Sequence, residues 1–151
     1  MNENNITALS PKQKGNITEL QCITSFCELG YDVNIPYGNN ARYDFVADIN
    51  DNMIKVQVKT CQAVDNGSAI TFSCRSSHLG SKGTYHKCYT KDEIDFFCTH
   101  YKGKCYLVPA GECGTEKCLR FIPPKNNQKA MVTYADQYEL SAQLQKILNK
   151  N

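Results

Sequence analysis

Arg42-Tyr43-Asp44-Phe45-Val46-Ala47-Asp48-Ile49 and, a short turn later, Ile54-Lys55-Val56-Gln57-Val58-Lys59 are the two segments on which the reading of this chain turns. The second alternates apolar and polar residues, the period of a half-buried strand. Residues two apart on a strand share a face, so Gln57 and Lys59 point the same way. Asp44 stands at the head of the apolar run Phe45-Val46-Ala47. A carboxylate, an amide oxygen and an ammonium are thereby predicted to converge at one sheet edge.

Working outward, the residues from Tyr43 to Ile49 are predicted as one strand and those from Met53 to Thr60 as its partner, with Asp51-Asn52 as the hairpin turn. Upstream, Ile17, Leu20, Ile23, Phe26 and Cys27 form a helical apolar stripe over about Gln13 to Leu29, with Gly30 as the residue that ends it. Glu19 lies beside that stripe. Tyr31 to Ile35 reads as a strand closed by Pro36, and Ala69 to Cys74 as another after the Asn66-Gly67 turn. Arg75 to Thr90, rich in Gly, Ser and Lys without periodicity, is expected to be a long loop, functional or mobile. Strands are predicted over Ile94 to Tyr101, Cys105 to Pro109 and Leu119 to Ile122, and a closing helix over Gln137 to Asn149 with Leu140, Leu144, Ile147 and Leu148 inside. A helix, a run of strands and a helix predict an α/β (α+β) mixed sheet flanked by helices.

At 151 residues the chain is expected to form one domain over residues 1–151, with residues 1–12 as a flexible lead-in. A 41% hydrophobic and 21% charged composition excludes a disordered polyelectrolyte. The net charge of +2 is unevenly spread. Arg75 to Lys91 and Lys117 to Ala135 contain no acid, whereas Asp44, Asp48 and Asp51 cluster. Acid-free basic stretches beside an acidic cluster suit a polyanion binder that also holds a cation, as well as ordinary solvated faces. Nine cysteines, odd in number and several of them at apolar positions, read as free thiols in a reducing, cytoplasmic setting. No apolar run is long enough for a membrane span.

Hydrolysing a phosphodiester requires an activated water, neutralisation of the phosphate and help for the leaving oxygen. A divalent cation on hard oxygen ligands supplies the first two. A sparse oxygen site suits Mg²⁺, which keeps several of its own waters. Asp44 would be the principal ligand, Gln57 an amide ligand and the Val58 carbonyl a backbone ligand. Lys59 would orient the attacking water and stabilise developing charge. Glu19 would reach the metal directly or through water. Arg42, Arg75, Lys82 and Lys87 are the candidate DNA-binding residues, as phosphate contacts that confer affinity without sequence information. The same residues also read as a turn cap (Asp44), a solvated strand face (Gln57, Lys59) and a surface ion-pair partner (Glu19).

Gly15-Asn16-Ile17-Thr18-Glu19, Leu29-Gly30-Tyr31-Asp32-Val33, Arg42-Tyr43-Asp44 and Val56-Gln57-Val58-Lys59-Thr60 together resemble the PD-(D/E)XK nuclease superfamily, and within it the group I intron-associated endonucleases. The likeness continues through Asp95-Phe96-Phe97, Tyr106-Leu107-Val108-Pro109 and Leu119 to Gln128, and reaches Tyr138-Glu139-Leu140. It implies a restriction-endonuclease-like core and divalent-metal cleavage of double-stranded DNA. Carried over by position, Glu19, Asp44, Gln57 and Lys59 fall on the family's catalytic site, with Mg²⁺ the expected cofactor and Mn²⁺ its substitute. Most of the superfamily has an acid where this chain has Gln57; the intron-associated branch is similar to this chain in using Gln. An amide brings oxygen without charge, so the expected metal affinity is lower than with two carboxylates.

A site of this type cuts one strand, so a homodimer or homotetramer is expected for a double-strand cut. Two other functions fit the same residues: a Holliday-junction resolvase-like nuclease, and a non-catalytic DNA-binding module on the same fold. A zinc site drawn from His86, Cys88, His100, Cys105, Cys113 and Cys118 matches no standard ligand spacing. Tyr85, Tyr89, Tyr101 and Tyr106 are candidates for DNA stacking or for packing. Asn126-Asn127-Gln128 reads as base-reading residues or, by preference, as part of the turn after Pro123-Pro124.

Overall fold

The structure, a computed structural model, describes residues 8–150; the first seven residues of the expected lead-in lie outside it. Helix α1 (Pro11–Glu28) starts within that predicted lead-in because Ser10 and Gln13 form a capping box. The Ser10 Oγ accepts the Gln13 N–H at 3.2 Å, and the Gln13 Oε1 accepts the Ser10 N–H at 2.8 Å. With Pro11 at the first turn, two of the helix's orphan donors are satisfied and a third is absent. At the other end Gly30 adopts φ +86°. Its N–H bonds to the Cys27 carbonyl, and the Tyr31 N–H to that of Phe26, the paired bonds of a Schellman motif.

Ten strands follow. The main sheet contains β1 (Asp32–Asn34), β2 (Phe45–Ile49), β3 (Asn52–Val58), β8 (Phe96–Tyr101) and β9 (Lys104–Pro109), hydrogen-bonded in the order β1-β2-β3-β8-β9. All neighbours are antiparallel except β3 and β8, which run parallel. The hairpin turn between β2 and β3 is one residue earlier than predicted. Asn50 and Asp51 carry the positive φ values that a two-residue hairpin loop requires, and Ile49 pairs with Asn52. The strand alternation is unaffected by that shift.

Between β3 and β8 the chain builds a second layer: β4 (Gln62–Val64), β5 (Ala69–Ser73), and a hairpin of β6 (Arg75–Gly80) and β7 (Gly83–Cys88). This hairpin corrects the loop expected over Arg75 to Thr90. Its residues are polar on both faces and mostly exposed, so no apolar alternation marks them as strands. Strand β10 (Glu116–Arg120) joins β5 and β4 in a three-stranded sheet, and α2 (Leu140–Leu148) follows a 3-10 turn at Ala135–Tyr138. The Asn126 to Gln128 segment is a turn, as preferred above: Asn127 has φ +55° and bonds the Pro124 carbonyl.

Alternation then sorts the core. Ile54, Val56 and Val58 of β3 join Phe45, Ala47 and Ile49 of β2 beneath Cys22 and Phe26 of α1 and Leu140 and Leu144 of α2. Both helices therefore cover one face of the main sheet. The other face carries Phe97, Tyr106 and Val108, packed against Ile70, Phe72 and Leu119 of the small sheet. An edge-to-face pair, Phe26 with Phe45 at 5.4 Å, fixes α1 directly beside the residue that precedes β2, Asp44.

Candidate active site

Asp44 occupies the last position before β2 and finishes the ladder with its side chain. Its N–H bonds the Val56 carbonyl at 2.9 Å, and its Oδ2 accepts the Val58 N–H at 2.7 Å. The carboxylate thus stands in for a backbone carbonyl at the end of β3. Lys55, Gln57 and Lys59 leave β3 on the face opposite Ile54, Val56 and Val58, as the alternation requires. The backbone N–H of Lys59 bonds the Cys98 carbonyl of β8 at 2.9 Å, which extends the parallel pairing by one residue and holds the lysine's stem.

Among the described residues Lys59 pairs with no carboxylate. Its Nζ donates to the Arg75 carbonyl at 2.8 Å and to the Tyr89 hydroxyl at 3.3 Å. Burial pushes its pKa down, and the Asp44 charge partly offsets that. Burial pushes Asp44 up, against the lowering effects of the Val58 N–H and of Lys59. Glu19 is likewise raised, first by burial and then by the Asp44 charge. Asp44 is thus coupled electrostatically to both Lys59 and Glu19, and each of the three groups is shifted toward its neutral form.

Glu19 reaches this neighbourhood because Thr18 is buried and its hydroxyl lies 3.3 Å from that of Thr60, tying α1 to the chain just past β3. Gln57 turns its amide back on its own strand, with Nε2 3.3 Å from the Val58 carbonyl oxygen. Amide nitrogen and oxygen are exchanged by a flip about the terminal bond. Adjacent ligands of an octahedral Mg²⁺ are about 3.0 Å apart, from metal–oxygen distances of about 2.1 Å. The Gln57 amide end and the Val58 carbonyl thus already have nearly the spacing of neighbouring ligands. Two desolvated carboxylates, an amide and a backbone carbonyl are a donor set that fits a hard divalent cation.

The four expected DNA contacts are not equivalent. Arg42 is committed inside the molecule: it donates to Glu93 at 3.2 Å, Ser76 at 2.8 Å and the Cys88 carbonyl at 3.3 Å. Its guanidinium also lies 4.2 Å from the centre of the Tyr89 ring. It fastens the β6–β7 hairpin to the main sheet. Arg75, beside Lys59, has a buried Nε with no partner among the described residues. Lys82 is exposed at the hairpin tip, and Lys87 lies 3.6 Å from Glu93.

Tyr89 is the residue that spacing did not single out as part of this cluster, wedged between Arg42 and Lys59. It is thirty residues from Lys59 in sequence and meets it only because the hairpin folds back. Tyr85 stacks on His78, and Tyr101 on Phe121. The cysteines and histidines of the zinc reading are not brought together. His86 and Cys88 are on the exposed hairpin, whereas Cys105 is buried under α1. Among the described residues the one cluster of three or more His, Cys, Asp or Glu that could hold a metal ion is Cys22, Cys98 and Cys105.

A mixed sheet with an acid at the head of one strand, a lysine at the end of the next and a glutamate-bearing helix in front defines a nuclease-like fold. Residues 9–141 match the PD-(D/E)XK endonuclease family, and the chain belongs to it. Its fold is similar to that of a bacterial homing endonuclease, I-Ssp6803I, with a TM-score of 0.74 and 22% identity over 94% of this chain and 98% of that one. No curated protein sequence matches the chain. No helix among the described residues is long and apolar enough to cross a membrane.

Proposed function

We propose that the protein is an Mg²⁺-dependent endonuclease that hydrolyses double-stranded DNA, with Glu19, Asp44, Gln57 and the Val58 carbonyl as the cation's ligands. The observation that carries this reading is the Asp44 carboxylate held at 2.7 Å on the Val58 N–H. The half-buried negative charge so held interacts with Lys59 and with Glu19, which supports a cation site at the open end of β3. When bound, the cation lowers the pKa of a coordinated water and neutralises the scissile phosphate. Mn²⁺ suits the same oxygen donors.

Lys59 has two roles in this scheme. Its ammonium orients the attacking water and faces the charge that develops on the phosphate. Its bonds to the Arg75 carbonyl and the Tyr89 hydroxyl fix its direction before substrate arrives, so little reorganisation accompanies the reaction. Arg75, with a buried donor lacking an acceptor among the described residues, and Lys82 at the hairpin tip are the phosphate contacts we favour. Arg42 acts through the hairpin that presents them. The likeness to a homing endonuclease suggests a defined duplex target, and a two-fold homodimer or a homotetramer would place one site on each strand. Nine free thiols suit a reducing cytoplasm.

The test is cleavage of plasmid and linear duplex DNA by the wild type and by Lys59→Met, with Mg²⁺, Mn²⁺, Ca²⁺ or a chelator. Cleavage of the duplex by the wild type with Mg²⁺, its loss in Lys59→Met and retained DNA binding are expected. Selective cutting of four-way junctions would replace this reading with a resolvase. Binding without any cutting would replace it with a non-catalytic module.

A further inference from the structure

Three of the nine cysteines leave three different elements and meet in the core. Cys22 is on the buried face of α1, one turn before Phe26; Cys98 is on β8, in register with Val58; Cys105 is on β9, paired with His100. Their relative exposures are 0%, 0% and 6%, and the three sulfurs lie within 4.8 Å of one another. Cys98 and Cys105 are closest, with an Sγ–Sγ distance of 3.2 Å. An ion about 2.3 Å from each of three sulfurs needs them about 3.8–4.0 Å apart, so the Cys98–Cys105 pair would open by about 0.6–0.8 Å on loading.

We propose that Cys22, Cys98 and Cys105 form a soft-metal site that takes a thiophilic ion, Cu(I) in preference to Zn²⁺. Thiolates select Cu(I), zinc and iron–sulfur clusters over hard ions, so the site does not compete for the Mg²⁺ of the nuclease centre. Structural zinc is four-coordinate. Among the described residues no further His, Cys, Asp or Glu joins the three sulfurs within 4.8 Å, and the same core includes the apolar Val56, Val58, Phe26 and Leu107. Three sulfurs in a dry pocket suit an ion content with three-fold coordination.

A surface cleft between α1 and the β8–β9 hairpin is lined by Leu20, Gln21, Ser25, Glu28, His100 and Gly103, and none of the three cysteines lines it. Each thiol that becomes a ligand releases its proton, so uptake weakens as pH falls. A filled site would clip α1, which carries Glu19, to β8, whose Cys98 carbonyl holds the Lys59 N–H.

The test is anaerobic Cu(I) loading of the reduced full-length protein against a Cu(I)-specific chromogenic chelator, with Zn²⁺ in a parallel titration. The wild type is expected to retain one Cu(I) per chain. Cys98→Ala and Cys105→Ala are expected to lose affinity at least about 100-fold, and Cys27→Ser/Cys88→Ser/Cys118→Ser, altered only at exposed positions, is expected to retain it. Circular dichroism of each metal-free variant checks folding. X-ray absorption on the copper-loaded triple variant is expected to give sulfur-only coordination and decides the matter should the alanine variants not fold. Failure of the wild type to retain copper, undiminished retention by folded Cys98→Ala or Cys105→Ala, nitrogen or oxygen coordination, or tighter zinc than copper would each overturn the proposal. Duplex cleavage with Mg²⁺ by the metal-free protein is unaffected by any of these results.

Discussion

Asp44→Asn is expected to stabilise the metal-free protein near neutral pH while abolishing cleavage. Asn keeps an oxygen for the Val58 N–H, so the end of the β2–β3 ladder survives. What it loses is charge assistance, about 1 kcal/mol of the difference between a charged and a neutral hydrogen bond. What it relieves is the desolvation of a carboxylate, which costs several kcal/mol for a fully buried ion and less for this half-buried one. Burial is the largest influence on Asp44, ahead of the Val58 N–H and Lys59. The expected balance is about 1 kcal/mol in favour of Asn, or about 2–4 °C in the midpoint of a chain this size.

The pH dependence has a definite sign. The native state raises Asp44 above its ordinary 3.8. Its contribution to stability is therefore complete below that value and is lost as pH rises through the higher native one. The gap between Asp44→Asn and the wild type should be small at acid pH, open across that window and stay constant above it. Thermal melts in chelator at several pH values measure it. An Asn variant that melts below the wild type at neutral pH would refute the argument that the site is desolvated at the expense of stability. Cleavage should fall for a separate reason. A unit charge about 4 Å from another contributes about 4 kcal/mol at an effective dielectric near 20, so cation affinity should drop about a thousandfold. A wild-type midpoint in a Mg²⁺ titration of Asp44→Asn would remove Asp44 from the ligand set.

The remaining predictions concern the neighbours. Gln57→Glu supplies a second charged ligand to the β3 face and should lower the Mg²⁺ concentration for half-maximal cleavage about tenfold or more; an unchanged midpoint would take Gln57 out of the ligand set. Arg42→Ala removes the fastening of the β6–β7 hairpin and should expose Arg75 to Cys88 to limited proteolysis while the main sheet keeps its protection from hydrogen exchange. Phe26→Ala empties the contact with Phe45 under Asp44 and should cost about 3–5 kcal/mol in urea denaturation. Arg75→Ala should weaken duplex binding equally on all sequences and make its salt dependence shallower by about one phosphate contact.

How much of this was legible beforehand follows from where each signal is stored. The face shared by Gln57 and Lys59 was readable because strand alternation is local, and the end of α1 because Gly30 has a single conformational reason to be there. The β6–β7 hairpin was not readable. Its strands bury no face, so nothing in their residues alternates, and it is held instead by cross-strand bonds and by Arg42 from another part of the chain. The same non-locality hid Tyr89. A residue whose role depends on a hairpin folding back cannot be found by spacing when the hairpin itself leaves no pattern.

Arg42 shows how composition misleads in the same region. An arginine beside an acid-free stretch looks like a free phosphate ligand, yet three of its donors are used within the chain. Arg75 looks no different in sequence, and its Nε is buried without an acceptor among the described residues. Burial without a partner is unfavourable for a guanidinium, whereas an exposed lysine such as Lys82 loses nothing by waiting in water. A phosphate arriving beside Lys59 would satisfy the first and merely attract the second. Of the basic residues in this region, Arg75 is therefore the one whose unfavourable state in the free protein is relieved by substrate. That makes it the contact expected to couple DNA binding to the position of Lys59, since the Arg75 carbonyl already holds the Lys59 ammonium at 2.8 Å. If so, Arg75→Ala should lower the turnover of bound duplex as well as its affinity, whereas Lys82→Ala should lower affinity alone. Equal effects of the two substitutions on single-turnover cleavage at saturating DNA would show that Arg75 is an ordinary surface contact.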